Sequence, residues 1–76
     1  MSPVYLTRID PARNMERFYK LDVQPTLFGE WSLITEWGRI GSPGRVQEHP
    51  CPTEIVAFEL LAKKLISKKH RGYLLS

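Results

Sequence analysis

The sequence predicts an α+β domain in which a small antiparallel sheet of four or more strands, connected as a meander, carries one C-terminal helix packed on it. Two observations lead there. Strand-forming segments follow one another with only short, turn-rich links, and after a pair of prolines the apolar period changes from 2 to about 3.6. A chain of 76 residues makes one domain, residues 1–76, and a domain this small needs nearly all its apolar side chains for the core, so no deep substrate cavity is expected.

The first strand is Val4-Tyr5-Leu6-Thr7-Arg8-Ile9, rich in β-branched and aromatic residues, and Asp10-Pro11-Ala12-Arg13-Asn14 is the loop that ends it. Phe18 to Val23 alternates, with Tyr19, Leu21 and Val23 on one face and Lys20 and Asp22 on the other. Gln24 to Gly29 connects it to a third strand, Glu30 to Trp37, in which Trp31, Leu33, Thr35 and Trp37 share one phase. Ser42-Pro43-Gly44-Arg45 matches a type II turn, because proline presets φ at the second position and glycine accepts a positive φ at the third. A fourth strand follows from Arg45. Beyond His49-Pro50-Cys51-Pro52, Thr53 caps a helix whose stripe of Ile55, Phe58, Leu61, Ala62, Leu65 and Ile66 is expected to face the sheet. Lys64, Lys68 and Arg71 fall off that stripe. Lys69 falls on it, so the helix should end near there, with Gly72 as its stop.

Net charge is +3, but it is unevenly placed. Residues 1–62 hold six Lys/Arg against eight Asp/Glu, whereas residues 63–76 hold five Lys/Arg and no acid. Such a cluster compensates a helix dipole and equally suits an anionic partner. The first residues show no basic region followed by an apolar run, and no stretch reaches the roughly 18 apolar residues of a membrane span. A cytoplasmic location without membrane contact is expected, and the single Cys51 fits a reducing compartment.

Enzyme signatures are poor. His49, Cys51 and His70 are too few for a zinc site, no paired carboxylates stand out, and Gly38, Gly41 and Gly44 lie between strands, where no phosphate loop forms. No catalysis, metal, cofactor or small-molecule substrate is expected. The stretch Glu36-Trp37-Gly38-Arg39-Ile40-Gly41 stays open on physical grounds. Its phase makes Trp37 a core residue at one end of the sheet, while a glycine at a strand end permits a bulge that would turn Trp37 outward.

Three blocks carry a resemblance: Asn14 to Tyr19, Trp37-Gly38-Arg39-Ile40-Gly41 with Gly44 following, and Lys68-Lys69-His70-Arg71-Gly72-Tyr73. Together, over about residues 4–75, they resemble the WGR domain, named for its Trp-Gly-Arg triplet and known from DNA-dependent poly(ADP-ribose) polymerases and from short bacterial proteins. Asp10 to Asn14 and Leu27-Phe28-Gly29 are similar to the second group. The resemblance implies a twisted antiparallel sheet with one helix and a non-catalytic module binding DNA ends, nicks or single-stranded edges, with RNA as an alternative. Trp37 would lie against a terminal sugar, Arg39, beside Gly38, would contact phosphate or a neighbouring domain, and Asn14 would help hold the end. Arg17, Lys20, Lys64, Lys68 and Arg71 would supply further phosphate contacts. The alternative is a protein-interaction module that docks a partner on the same Trp37 and Arg39 surface.

Overall fold

The computed structural model describes residues 3–76; Met1 and Ser2, for which the sequence predicts no leader, lie outside the described residues. The chain forms β1 (Val4–Asp10), a single 3-10 turn (Pro11–Arg13), β2 (Met15–Pro25), β3 (Trp31–Arg39), β4 (Arg45–Cys51), α1 (Glu54–His70) and β5 (Leu74–Leu75). The sheet is antiparallel throughout, in the order β4-β3-β2-β1-β5. The α+β class and the meander of β1 to β4 are as the sequence predicts. β5 is an addition to it: two residues carry no periodic signal, and they pair with Leu6 and Thr7 only because α1 has returned the chain across the sheet to that edge.

The core lies between one sheet face and α1. Leu6, Tyr19, Leu21, Val23, Leu33, Cys51, Ala57 and Tyr73 are buried there, with Val4, Trp31, Trp37, Leu60, Leu61 and Leu65 packed around them. Thr35 is fully buried on this face and donates a hydrogen bond to the Gln47 carbonyl at 3.3 Å. On the opposite face Phe18 is buried under a nearly parallel Tyr5 ring, centroids 5.8 Å apart.

Helix α1 keeps its expected limits and changes its expected face. Thr53 caps it by accepting from the Val56 amide at 3.2 Å. At the other end Gly72 has φ +91°, the Gly72 amide donates to the Lys69 carbonyl, and the Tyr73 amide donates to the Lys68 carbonyl, both at 3.0 Å. This is a Schellman stop. The predicted stripe holds only in part: Leu61 and Leu65 pack against the core, but Ile55 is 71% exposed and Ile66 56%, while Ala57 is fully buried and Lys64 and Lys68 lie on the half-buried, sheet-facing side. The true contact line of Ala57, Leu61, Lys64 and Lys68 is rotated by roughly 100°, one residue step, from the predicted one. Apolar residues occur almost all round this helix, so their distribution did not select a face. A small residue did, because Ala57 lets the helix axis approach the sheet.

The corner after β3 also differs from expectation. The tight turn is Arg39-Ile40-Gly41-Ser42, closed by the Ser42 amide donating to the Arg39 carbonyl at 3.1 Å, and Gly41, with φ +88°, holds the position that favours glycine. Gly44 serves a different purpose. A Cβ there would come within 2.7 Å of both Phe18 Cζ and the Trp37 carbonyl oxygen, and one on Gly38 would lie 3.1 Å from Gly44 Cα. The two glycines let the corner pack backbone to backbone over Phe18.

Two outcomes test this packing. Gly44→Ala should destabilise the fold by about 1–3 kcal/mol in denaturant unfolding, since the Trp37 carbonyl belongs to a paired strand and cannot withdraw. Burial, with a smaller effect from Lys64, holds the His49 imidazole below its ordinary value of 6.5. The unfolded chain therefore binds the proton more readily, and stability present above about pH 6.5 should be lost as pH falls through the lower folded value. Thermal melts across that window should show the loss in the native chain and a shallower one in His49→Gln.

Candidate nucleic-acid interface

Antiparallel pairing puts directly opposed residues on the same face, so the register alone assembles the site. Arg8 pairs with Arg17 and Arg17 with Arg39, which sets three arginines abreast across β1, β2 and β3 on the face that α1 covers farther along. The next rung in the same phase is Leu6, Tyr19 and Trp37. Strands about 4.8 Å apart place the three guanidinium stems in one row beside a row of core side chains.

Helix α1 stops at these rungs, where Leu6 and Tyr19 are buried while Trp37 is only half-buried and Arg17 and Arg39 are exposed. Its last turn carries Lys68 over the Tyr19 ring, with Nζ 4.5 Å from that centroid and 5.7 Å from the Tyr73 centroid. Tyr73 meets Tyr19 edge-on at 6.2 Å, and Tyr19 stacks with Trp37 at 6.1 Å and 23°. Arg8 runs past Gly72, where a Cβ would meet its Nε at 3.4 Å. The result is an open recess of about 430 Å³ lined by Arg8, Arg17, Tyr19, Trp37, Gly38, Arg39, Lys68, Arg71 and Tyr73. Five of these are cations and none is an acid. Among the described residues the one ion pair is Arg13 with Asp10, far from saturating this charge.

Trp37 keeps the phase of Trp31 and Leu33. The alternative in which Gly38 turns it outward is excluded by the unbroken pairing of Tyr19 with Trp37 and Phe18 with Gly38. Its ring is half-buried because it stacks on Tyr19 while the helix ends too early to cover the rest. A core position at the end of a partly covered sheet becomes a surface position without leaving its phase.

Arg39 is exposed and donates through Nη1 to the Asn14 carbonyl at 3.3 Å. Asn14 supplies that carbonyl because it closes the 3-10 turn in the left-handed region, φ 51° and ψ 42°. Its backbone therefore steers Arg39, and Asn14 is not among the recess lining. Lys68 is held below its ordinary pKa, first by burial and then by Arg71 and Lys64. Burial likewise raises the Tyr19 phenol, which stays neutral near neutral pH.

Of the residues singled out from sequence, Trp37, Gly38, Arg39, Arg17, Lys68 and Arg71 meet in the recess. Lys20 does not: it pairs with Tyr5 and Glu36 on the opposite face. Lys64 lies one helical turn before Lys68 and outside the recess lining, close enough to act on His49. Arg8, Tyr19 and Tyr73 complete the site without having been assigned to it from sequence. A signal for Arg8 existed, since Val4, Leu6 and Arg8 alternate onto one face and end an apolar phase on a cation.

The chain belongs to the WGR domain family, whose model matches residues 2–76. It is 41% identical over 70 residues to the uncharacterized protein y4dW of Sinorhizobium fredii (strain NBRC 101917 / NGR234), an alignment covering 92% of this chain. The chain spans about a third, 34%, of that relative's length. No solved structure matches it.

The unpaired arginine row carries its own test. Like charges directly opposed on a sheet destabilise by about 0.2–1 kcal/mol, and Arg17 has such a neighbour on each side. Arg17→Gln should therefore raise the stability of the free protein in low salt, and the gain should shrink as added salt shortens the Debye length. Denaturant titrations at two ionic strengths check this.

Proposed function

We propose that this domain is a non-catalytic, cytoplasmic nucleic-acid-binding module that takes DNA ends, nicks or single-stranded edges in the recess built on Trp37 and Arg39. One observation carries the reading: a half-buried tryptophan lines a recess with five cations and no acid. A duplex interior offers phosphates but keeps its base and sugar faces stacked. An end, a nick or a single strand offers both, and the recess has a group for each.

The roles divide by chemistry. The Trp37 face stacks on a sugar or unpaired base regardless of sequence, an interaction worth about 1–3 kcal/mol for a base. Arg39, steered by the Asn14 carbonyl, presents a planar fork able to grip two phosphate oxygens, which a lysine cannot do. Arg8 and Arg17 extend the row so that successive phosphates of one strand can be met in turn. Lys68 and Arg71 close the recess from the helix side. These contacts position the strand without reading its sequence, so the expected partner is any accessible end. Family membership supports the same reading, since WGR domains of DNA-dependent poly(ADP-ribose) polymerases bind DNA breaks.

The deciding experiment is a fixed-salt binding panel of blunt, nicked, single-stranded and covalently closed circular DNA. Affinity should be highest for substrates with an end or nick and should fall with salt at a log–log slope near −3, as for about three or four neutralised phosphates. Trp37→Ala should remove about 1–3 kcal/mol from end binding and much less from binding to closed duplex. Arg8→Gln should flatten the salt slope by about one, whereas Lys20→Gln on the opposite face should leave both affinity and slope unchanged. Absence of binding at low salt would turn the assignment towards a protein partner.

A further inference from the structure

Four of the six residues of the predicted α1 stripe lie on its outer side, away from the sheet; only Leu61 and Leu65 reach the core. Ile55, Phe58, Ala62 and Ile66 form an exposed apolar line along that side, continued by the exposed Lys69. A soluble helix usually shows polar residues there, and an exposed apolar line of this length marks a contact surface.

We propose that this line pairs two copies of the chain, α1 against α1, antiparallel about a two-fold axis at Ala62. The sequence of the line is self-complementary about that residue. Ala62 lies midway between Ile55 and Lys69 and is small enough for two helix backbones to approach closely. The axis sets Phe58 of one copy against the partner's Ile66, and lays the aliphatic stem of Lys69 over the partner's Ile55. Glu59 and Lys63 lie together on one flank of the line, and the same axis brings Glu59 beside the partner's Lys63 twice over. The antiparallel arrangement also sets the acidic first turn of each helix, with Glu54, near the basic last turn of the other, with Lys69 and His70. An isologous contact of this kind closes on itself and leaves no free copy of the patch.

Other faces fit a second copy less well. The hairpin tip with exposed Leu27 and Phe28 is flanked by Glu30 and Glu48, so two tips would bring like charges together. The α1 line instead sets each Glu59 beside a Lys63 of the other copy, on either side of the two Lys63 nearest the axis. A 17-residue helix is roughly 26 Å long, and one face of it buries less than the ~800 Å² per copy of a standard interface. The dimer is therefore weak, with a dissociation constant in the micromolar to sub-millimolar range. Because the recess sits at the C-terminal end of α1, the antiparallel pair carries its two recesses at opposite ends. Resting on the nucleic-acid reading above, such a dimer would hold two ends at once.

Sedimentation velocity of the whole chain from about 1 μM to about 1 mM at low salt tests the pairing. The native chain should pass from monomer to dimer within that range. Ala62→Arg, at an exposed site that leaves the core untouched, should keep it monomeric. Glu59→Lys should weaken dimerisation roughly tenfold, and Glu59→Lys with Lys63→Glu should restore it by exchanging the charges. A native chain that stays monomeric to 1 mM, a dimer that survives Ala62→Arg, or a charge exchange that restores nothing would overturn the proposal. Affinity of Ala62→Arg for a single-ended oligonucleotide should equal that of the native chain, so the dimer and the recess are read separately.

Discussion

The length of α1 relative to the sheet is the constraint on which the rest of this structure depends. The helix buries Leu6, Leu21 and Leu33 completely, then halts at the Schellman stop on Gly72 while the apolar face still has rungs to run. Each feature of the recess follows from that early stop. Tyr19 is sealed by the last helical turn, Trp37 stacks on Tyr19 and is only half-buried, and the following rung carries arginines instead of apolar side chains. Had the helix gone one turn further, Trp37 would be an ordinary core residue and the arginine row could not exist. The site is a core left unfinished at one end.

On the proposed reading, that arrangement trades stability for a preformed anion site. Three arginines abreast, with Lys68 and Arg71 above them, repel one another in the free protein, and no carboxylate among the lining residues relieves them. A bound anion would turn that repulsion into a set of charge-assisted contacts. Little ordering is left for the moment of binding. Asn14 already holds Arg39, Gly72 already gives Arg8 its path, and stacking on Tyr19 already fixes the plane of Trp37. The glycines of the corner belong to the same economy, because Gly38 and Gly44 let β3 and β4 close over Phe18 and so keep the Trp37 end of the sheet rigid.

Much of this was legible in the sequence, and the failures have physical causes. The β-branched and aromatic composition of β1, the period-2 alternation in β2 and β3, the Thr53 cap and the Gly72 stop each correspond to an observed element. The helix face was misread because Ile55, Phe58 and Ile66 outweigh Ala57 in any apolar pattern, although closeness of approach decided the contact. Placing the turn at Pro43-Gly44 followed the proline, whereas the chain uses the positive φ of Gly41 and spends Gly44 on a close approach. Trp37 and Arg39 were found through their triplet, but Arg8 and Tyr73 join the site by pairing register and by the return of the chain after α1. Neither is a local property. Lys20 failed for a simpler reason: its neighbour Tyr19 faces the recess, so Lys20 cannot.

The central claim is that one end of one face takes a nucleic-acid strand, and residue-resolved NMR tests it most directly. Amide and side-chain shifts would be followed while a short oligonucleotide with a free end is added to the protein. The account predicts that the largest changes fall on Arg8, Arg17, Trp37, Arg39, Lys68 and Tyr73, including the Trp37 indole N–H, while Lys20, Glu36 and Val46 on the opposite face stay in place. Changes centred on the opposite face, or on the Leu27 and Phe28 hairpin tip, with the Trp37 indole unmoved, would contradict it.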